Sequence, residues 1–80
     1  MHIKIWDNGG ETLDRYTIEI THYREPIREY YGMGPGGRGV NMFLGDSRDG
    51  LKPGRHWGKR VSFINLDADT QRAIMNRIIG

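Results

Sequence analysis

The sequence of 80 residues contains no cysteine, which excludes disulfide bridges and thiolate metal sites and suits a reducing compartment such as the cytoplasm. Long apolar runs are also missing, since no stretch approaches the ~20 residues that a membrane-spanning helix requires. The first residues, Met1 to Lys4, are too short and too polar a stretch to serve as a signal peptide. We therefore expect a cytoplasmic protein with no membrane partner.

Nucleophilic and metal-binding side chains are scarce. Serine occurs only at positions 47 and 62, and Ser47 does not lie in a nucleophile elbow. The histidines, His2, His22 and His56, are far apart and show no ligand spacing. A chain of this length forms one domain, residues 1–80, with little room for an enclosed catalytic pocket. The sequence therefore predicts a protein that is not an enzyme, with no cofactor and no catalytic or metal-binding residues.

The charge is small overall but unevenly distributed. The net charge is +2, yet residues 24–60 contain eight lysine or arginine residues and four acidic residues, which is a local balance of +4 and leaves −2 for the remainder. A basic, glycine-rich middle between more acidic ends favours a partner with an anionic surface, either a nucleic acid or a protein.

Alternating apolar residues predict a β-hairpin at the N-terminus, with strands over about residues 3–6 and 14–21. The loop between them contains Asn8-Gly9-Gly10, which tolerates the positive φ of a chain reversal. Asp7, Asn8 and Asp14 are expected to accept backbone N–H groups within this loop. With Glu11 they also resemble a calcium-binding cluster, but their spacing is not that of an EF-hand.

The rest of the chain is less regular. Residues 27–33 are expected to form an edge strand or one partly open to solvent, because Glu29 falls in phase with the apolar residues. The glycines of residues 32–39 predict a loop. Residues 40–44 form an apolar island that fits either one helical turn or a short strand, and residues 61–64 fit a last strand.

The C-terminus carries the clearest helical pattern, with Asn65 or Asp67 available as the N-cap. The expected fold is therefore α+β: a small antiparallel sheet of three to four strands, including the N-terminal hairpin, with a C-terminal helix packed on one face. The predicted core consists of Ile3, Ile5, Tyr16, Ile18, Ile20, Phe43, Val61, Phe63, Leu66, Ile74 and Ile78.

Two further patterns are open to more than one interpretation. Residues 32–37 match G-x-G-x-x-G, but no helix follows directly and no βαβ unit fits, which favours a surface loop over a nucleotide site. Residues 52–60 combine four cations with His56 and Trp57. This segment fits nucleic-acid contact, in which cations bind phosphates and a ring stacks on a base. It equally fits a solvated face beside a Trp57 that is packed in the core or as a lid.

Several short motifs, taken together, resemble a family of very small proteins carried by phages, prophages and other mobile elements. The matching residues are Asp7-Asn8-Gly9-Gly10, Asp14-Arg15-Tyr16-Thr17, Tyr31-Gly32-Met33, Gly54 to Val61, Phe63, Leu66 and Gln71-Arg72-Ala73-Ile74. The resemblance spans nearly the whole chain, and the matched motifs indicate fold determinants rather than a shared catalytic set.

The resemblance implies a phage-borne accessory protein that acts on its host, in the cytoplasm of a bacterial cell. In size and setting the chain is similar to anti-CRISPR proteins, which dock on a Cas protein or surveillance complex and block target DNA or a nuclease. We therefore expect an inhibitor that binds a type I CRISPR effector complex (Cascade) and blocks DNA recognition. The predicted partner-binding residues are Arg28, Tyr30, Arg38, Arg55 and Lys59. The alternative is a small nucleic-acid-binding accessory protein that uses the basic Gly/Arg-rich middle.

Overall fold

The computed structural model describes residues 2–21, 28–35, 41–48 and 55–79. Five β-strands and one α-helix follow in the order β1 (His2–Asp7), β2 (Tyr16–Thr21), β3 (Arg28–Pro35), β4 (Asn41–Arg48), β5 (Lys59–Val61) and α1 (Ala68–Ile79). Two short 3₁₀ helices flank β5: η1 (Arg55–Trp57) and η2 (Phe63–Asn65). No helix in the described part of the chain is long and apolar enough to cross a membrane.

The strands form one antiparallel sheet in the order β4-β3-β2-β1-β5. The N-terminal hairpin places Ile5 opposite Ile18, and β3 continues the row with Tyr31. The predicted α+β class, with an antiparallel sheet and a C-terminal helix, is confirmed. The sheet has five described strands because the apolar island at residues 40–44, left open between helix and strand, belongs to β4 from Asn41 onward.

Of the two alternatives for the third strand, the edge strand is wrong, since β3 lies between β2 and β4. The strand is instead partly open to solvent, with Arg28 exposed and Glu29 half-buried. Glu29 suggested an open edge because it shares a face with apolar residues. The structure accommodates it through the Tyr31 hydroxyl, which donates to Glu29 Oε2 at 2.6 Å. A hydrogen-bonded carboxylate is tolerated at a partly buried position, where an unpaired one is costly.

The first part of the predicted glycine loop is wrong, because it belongs to a strand. Residues 32–35 continue β3, with Met33 paired to Tyr16 of β2 and Gly34 paired to Met42 of β4. Pairing on both sides offsets the weak strand preference of glycine. Residues 36–39 of the predicted loop lie outside the described residues. The predicted last strand also shifts, because the strand covers Lys59–Val61 and Phe63 already belongs to η2.

The main core lies between the sheet and α1. Five predicted residues are buried there and five more pack partly against them, as expected from strand and helix periodicity. The buried ones are Ile5, Tyr16, Ile18, Ile20 and Ile74, and the partly buried ones are Ile3, Phe43, Val61, Phe63 and Leu66. Tyr31 and Met33 of β3 complete the core and were not predicted. The side chain of Ile78 lies outside the described residues.

Asp67 caps the start of α1, as one of the two predicted candidates. Its carboxylate accepts hydrogen bonds from the backbone N–H of Thr70 at 3.1 Å and from the Thr70 hydroxyl at 2.5 Å. Thr70 is fully buried and its hydroxyl also accepts from the Asn41 side-chain amide at 2.7 Å. The cap therefore ties the first turn of α1 to β4 as well as satisfying a helix N–H group.

Replacing Asp67 by alanine is expected to lower the free energy of unfolding at pH 7 by about 1 kcal/mol, the usual cost of a lost N-cap. Its hydrogen bonds with Thr70 lower the pKa of the Asp67 carboxyl. A lowered pKa gives stability that is present above the unfolded value of about 3.9 and lost as pH falls through the folded pKa. Urea unfolding at pH 7 and near pH 2.5 should thus show the difference between wild type and D67A shrinking in acid. If wild type and D67A differ equally in free energy of unfolding at both pH values, the assignment of Asp67 as the N-cap is wrong.

Candidate binding face of the sheet

A second, smaller cluster of buried side chains lies on the face of the sheet opposite α1. Strand alternation directs Trp6 and Tyr30 away from Ile5 and Tyr31, and Trp57 of η1 packs over them. The Trp57 ring centroid lies 4.9 Å from that of Trp6 and 5.6 Å from that of Tyr30. Trp6, Tyr30 and Trp57, which we call the aromatic cluster, are only 6%, 2% and 6% exposed. Of the two alternatives for Trp57, the structure shows the packed lid.

Gly58 places that lid. It follows Trp57 directly and has φ of +83°, a left-handed conformation that lets the chain reverse from η1 into β5. The backbone of Gly58 also packs directly on the backbone of Asp7 and Asn8. The end of β1 therefore holds the segment that positions Trp57.

Two exposed arginines on this face contact side chains of the aromatic cluster. The Arg60 guanidinium lies 5.2 Å from the ring centroid of Trp6, its cross-strand partner. Arg28 hydrogen-bonds the hydroxyl of Tyr30, two residues along β3. Rigid aromatic rings thus restrict both guanidinium groups before any partner binds, which reduces the entropy lost on binding.

A buried carboxylate completes the arrangement around Tyr30. Glu19 lies opposite Tyr30 in the sheet, is buried, and hydrogen-bonds its hydroxyl. Burial is the main reason that the pKa of the Tyr30 hydroxyl is raised, and the bond with Glu19 adds to it. Tyr30 therefore stays neutral at physiological pH and bridges Glu19 to Arg28. Lys4, the partner of Glu19 on β1, is exposed on the same face. We call the exposed set Lys4, Arg28 and Arg60 the cationic face.

The predicted binding residues do not all meet. Arg28 lies on the cationic face, but Tyr30 is buried, so its hydroxyl holds Arg28 and its ring does not face a partner. Lys59 is exposed but pairs with Asp7 and so belongs to the other face of the sheet. Arg38 lies outside the described residues. Arg55 begins η1, and its side chain is outside those that the structure describes.

Sequence reasoning missed Lys4, Trp6 and Arg60. The signal for the first two was present, because Lys4 and Trp6 alternate with Ile3 and Ile5. A large aromatic residue out of phase with the apolar face of a strand indicates that the other face is covered too. No sequence pattern indicated that Arg60 lies on this face, because its position depends on the pairing of β5 with β1.

Lys59 lines a separate, open cleft of about 420 Å³ beside the hairpin loop. Its walls come from the end of β1, the loop and β5: Asp7, Asn8, Gly9, Glu11, Gly58, Lys59 and Val61. Arg15 donates to Asp7 at 2.9 Å and lowers the pKa of its carboxyl, which keeps Asp7 ionised. Within the described ranges, no group of three or more potential ligand side chains is placed to hold a metal ion.

The hairpin loop ties itself together, as predicted for Asp7 and Asn8. The Asn8 side-chain oxygen accepts the N–H groups of Gly10 and Glu11 at 2.8 and 3.1 Å, and Asp7 accepts that of Gly9 at 2.8 Å. Asp14 takes part through its backbone carbonyl, which accepts from the Asn8 amide at 3.1 Å. These hydrogen bonds within the loop stabilise the turn between β1 and β2.

Comparison of the chain with protein-family models, with curated proteins and with solved structures finds no match.

Proposed function

We propose that the protein is a docking inhibitor that uses its cationic face to bind an anionic surface of a host protein complex. The observation that carries the proposal is the pair Arg28 and Arg60, both exposed on one face and both in contact with the aromatic cluster. Arginine presents a planar fork of donors that matches carboxylates with two parallel hydrogen bonds. A pair of arginines fixed in this way offers two strong contacts on a rigid surface.

The identity of the partner follows from the resemblance to phage-borne proteins. That setting supports a host defence complex as the target, and a type I CRISPR effector complex is the first candidate. In this proposal the cationic face covers an acidic part of the effector and blocks the approach of target DNA. Arginine is among the residues that contribute most to binding at protein interfaces, which makes Arg28 and Arg60 the expected energetic centre.

The proposal predicts that the purified protein co-elutes with a type I effector complex and that the complex then no longer shifts target DNA in a gel. The double variant R28A/R60A should weaken binding at least about 30-fold, because each truncated hot-spot arginine typically costs 1 kcal/mol or more. The matched control is R72A, since Arg72 is an exposed arginine on α1, away from the cationic face. If the protein co-elutes with no type I complex, the proposed target is wrong. If R72A loses as much binding affinity as R28A/R60A, the cationic face is not the binding surface.

Nucleic-acid binding is the second candidate function, and the presence of Lys4 beside the two arginines favours it. Cations spread over one face of a sheet are suited to contact with several phosphates. This alternative predicts a gel shift with DNA or RNA alone whose affinity falls steeply between 50 and 200 mM salt, as counterion release requires. Binding of the effector complex that survives 200 mM salt, with no shift of free nucleic acid at low salt, favours the docking inhibitor.

A further inference from the structure

We infer that the outer surface of α1 and η2 is a self-association site at which two copies of this chain pair across a two-fold axis. This surface, which we call the outer helix face, consists of Ile64, Ala68, Asp69, Arg72 and Met75. It lies away from the cationic face, so the inference does not depend on the proposed function.

Two apolar side chains on this surface are conspicuously exposed. Ile64 of η2 is 81% exposed and Met75 of α1 is 40% exposed. The Gln71 side-chain amide donates to the carbonyl oxygens of Phe63 at 3.0 Å and Ile64 at 3.4 Å, which holds η2 against the helix. Met75 lies one turn beyond Gln71 on the same side of α1, so Gln71 adjoins both the backbone of Ile64 and the side chain of Met75.

Charges of opposite sign lie between the two apolar ends. Asp69 and Arg72 are both largely exposed and form an ion pair one turn apart, with Arg72 Nη1 3.2 Å from Asp69 Oδ1. Along the chain, from Ile64 of η2 to Met75 of α1, the order is therefore apolar, acidic, basic, apolar. Ala68, also exposed, adds a small side chain that permits close approach of another helix.

This order is self-complementary. A two-fold axis perpendicular to α1 reverses the sequence of features in the second copy. Ile64 of one copy then meets Met75 of the other, and Asp69 meets Arg72 in two symmetric ion pairs. Antiparallel helices also align their dipoles favourably. An unrelated partner would need a matching order of features, whereas a second copy has it automatically.

The patch is small, so the dimer is expected to be weak. Stable complexes bury roughly 800 Å² on each partner, and one helix face with two exposed apolar residues offers less. We therefore expect a monomer of 9.2 kDa at low micromolar concentration and a rising average mass as concentration approaches the millimolar range. Amide resonances of Ile64, Arg72 and Met75 should shift over the same range, while those of Arg28 and Arg60 should not.

Charge exchange tests the two-fold geometry directly. The single variants D69R and R72D each place like charges opposite one another in the homodimer, so each should associate at least about threefold more weakly than wild type. An equimolar mixture of D69R and R72D restores both ion pairs, so it should associate more strongly than either variant alone. Sedimentation equilibrium measures the masses, and thermal melting checks that both variants fold.

A wild-type mass that stays at the monomer value up to 1 mM overturns the inference. So does a mixture of the two charge variants that behaves like the average of its components. The variant I64D, at a side chain that is exposed in the monomer, should abolish association without lowering the melting temperature. If I64D associates as well as wild type, the dimer uses another surface and the assignment is wrong.

Discussion

Replacing Gly58 by alanine is expected to lower the free energy of unfolding by about 4 kcal/mol or more. Two costs add at this position. The left-handed backbone, with φ of +83°, costs a residue that has a Cβ atom about 1–2 kcal/mol. In addition, the new methyl carbon would overlap the carbonyl oxygen of Asp7 and lie 2.5 Å from Asn8 Cα, where only backbone movement provides room. Overpacking of this kind typically costs a further 1–3 kcal/mol, and contact with backbone lies at the upper end.

Gly9 provides the matched control. It also has a left-handed backbone, with φ of +77°, but no atom lies within 4 Å of the position that a Cβ would take. The variant G9A should therefore show the conformational cost alone, about 1–2 kcal/mol. Urea unfolding followed by circular dichroism measures both variants. Equal losses in G58A and G9A would show that contact between Gly58 and β1 contributes nothing.

The contact at Gly58 brings together two segments that are far apart in the sequence. Asp7-Asn8-Gly9-Gly10 and the segment from His56 to Arg60 are about fifty residues apart in sequence, yet Gly58 packs on Asp7 and Asn8. On β3, Gly32 leaves space that the carboxylate of Asp14 occupies, since a Cβ there would lie 2.7 Å from Asp14 Cγ. Asp7, Asp14, Gly32 and Gly58 therefore lie at one end of the sheet, where the absence of a Cβ atom at the two glycines permits close packing.

The parts of the fold that sequence could predict are those with local periodicity. The hairpin alternates with period two, and α1 has a capped apolar stripe, so both were predicted at nearly the observed positions. β4 was harder to predict, because Gly45 and Asp46 interrupt its apolar pattern and a partner strand determines its conformation. Strand preference depends on neighbours more than on the residue itself, and β3 shows the same effect through Gly32 and Gly34.

The candidate site was harder to predict from the sequence for the same reason. Arg28 was predicted on residue type, but its support by Tyr30 depends on which side of β3 faces the helix. That side was ambiguous because Glu29 is in phase with Tyr31. The burial of Trp57 arises from a contact between η1 and β1, and nothing within residues 52–60 distinguishes a lid from a surface ring.

Replacing Trp57 by alanine is expected to lower the free energy of unfolding by about 3–5 kcal/mol, the usual range for a buried tryptophan. A domain of this size has roughly 4–12 kcal/mol in total, so the variant should be marginally folded. Loss of the lid exposes Trp6 and Tyr30, and both arginines of the cationic face then lose a rigid support. The affinity of W57A for the partner should therefore fall by more than the loss of folded protein alone would cause.

The variant W57F separates the two effects. Phenylalanine keeps an aromatic ring over Trp6 and Tyr30, so most of the stability should remain and partner affinity should change less than tenfold. The second tryptophan, Trp6, then reports on the cluster by fluorescence, because the chain has only two. In W57A its emission should shift to the red at urea concentrations at which circular dichroism still shows a folded sheet.

Leu13, which is exposed in the hairpin loop, gives the surface control, and L13A should change stability by less than about 0.5 kcal/mol. If W57A is no less stable than L13A, Trp57 does not cover the sheet, and the arginines of the cationic face would have to be positioned by something other than the aromatic cluster.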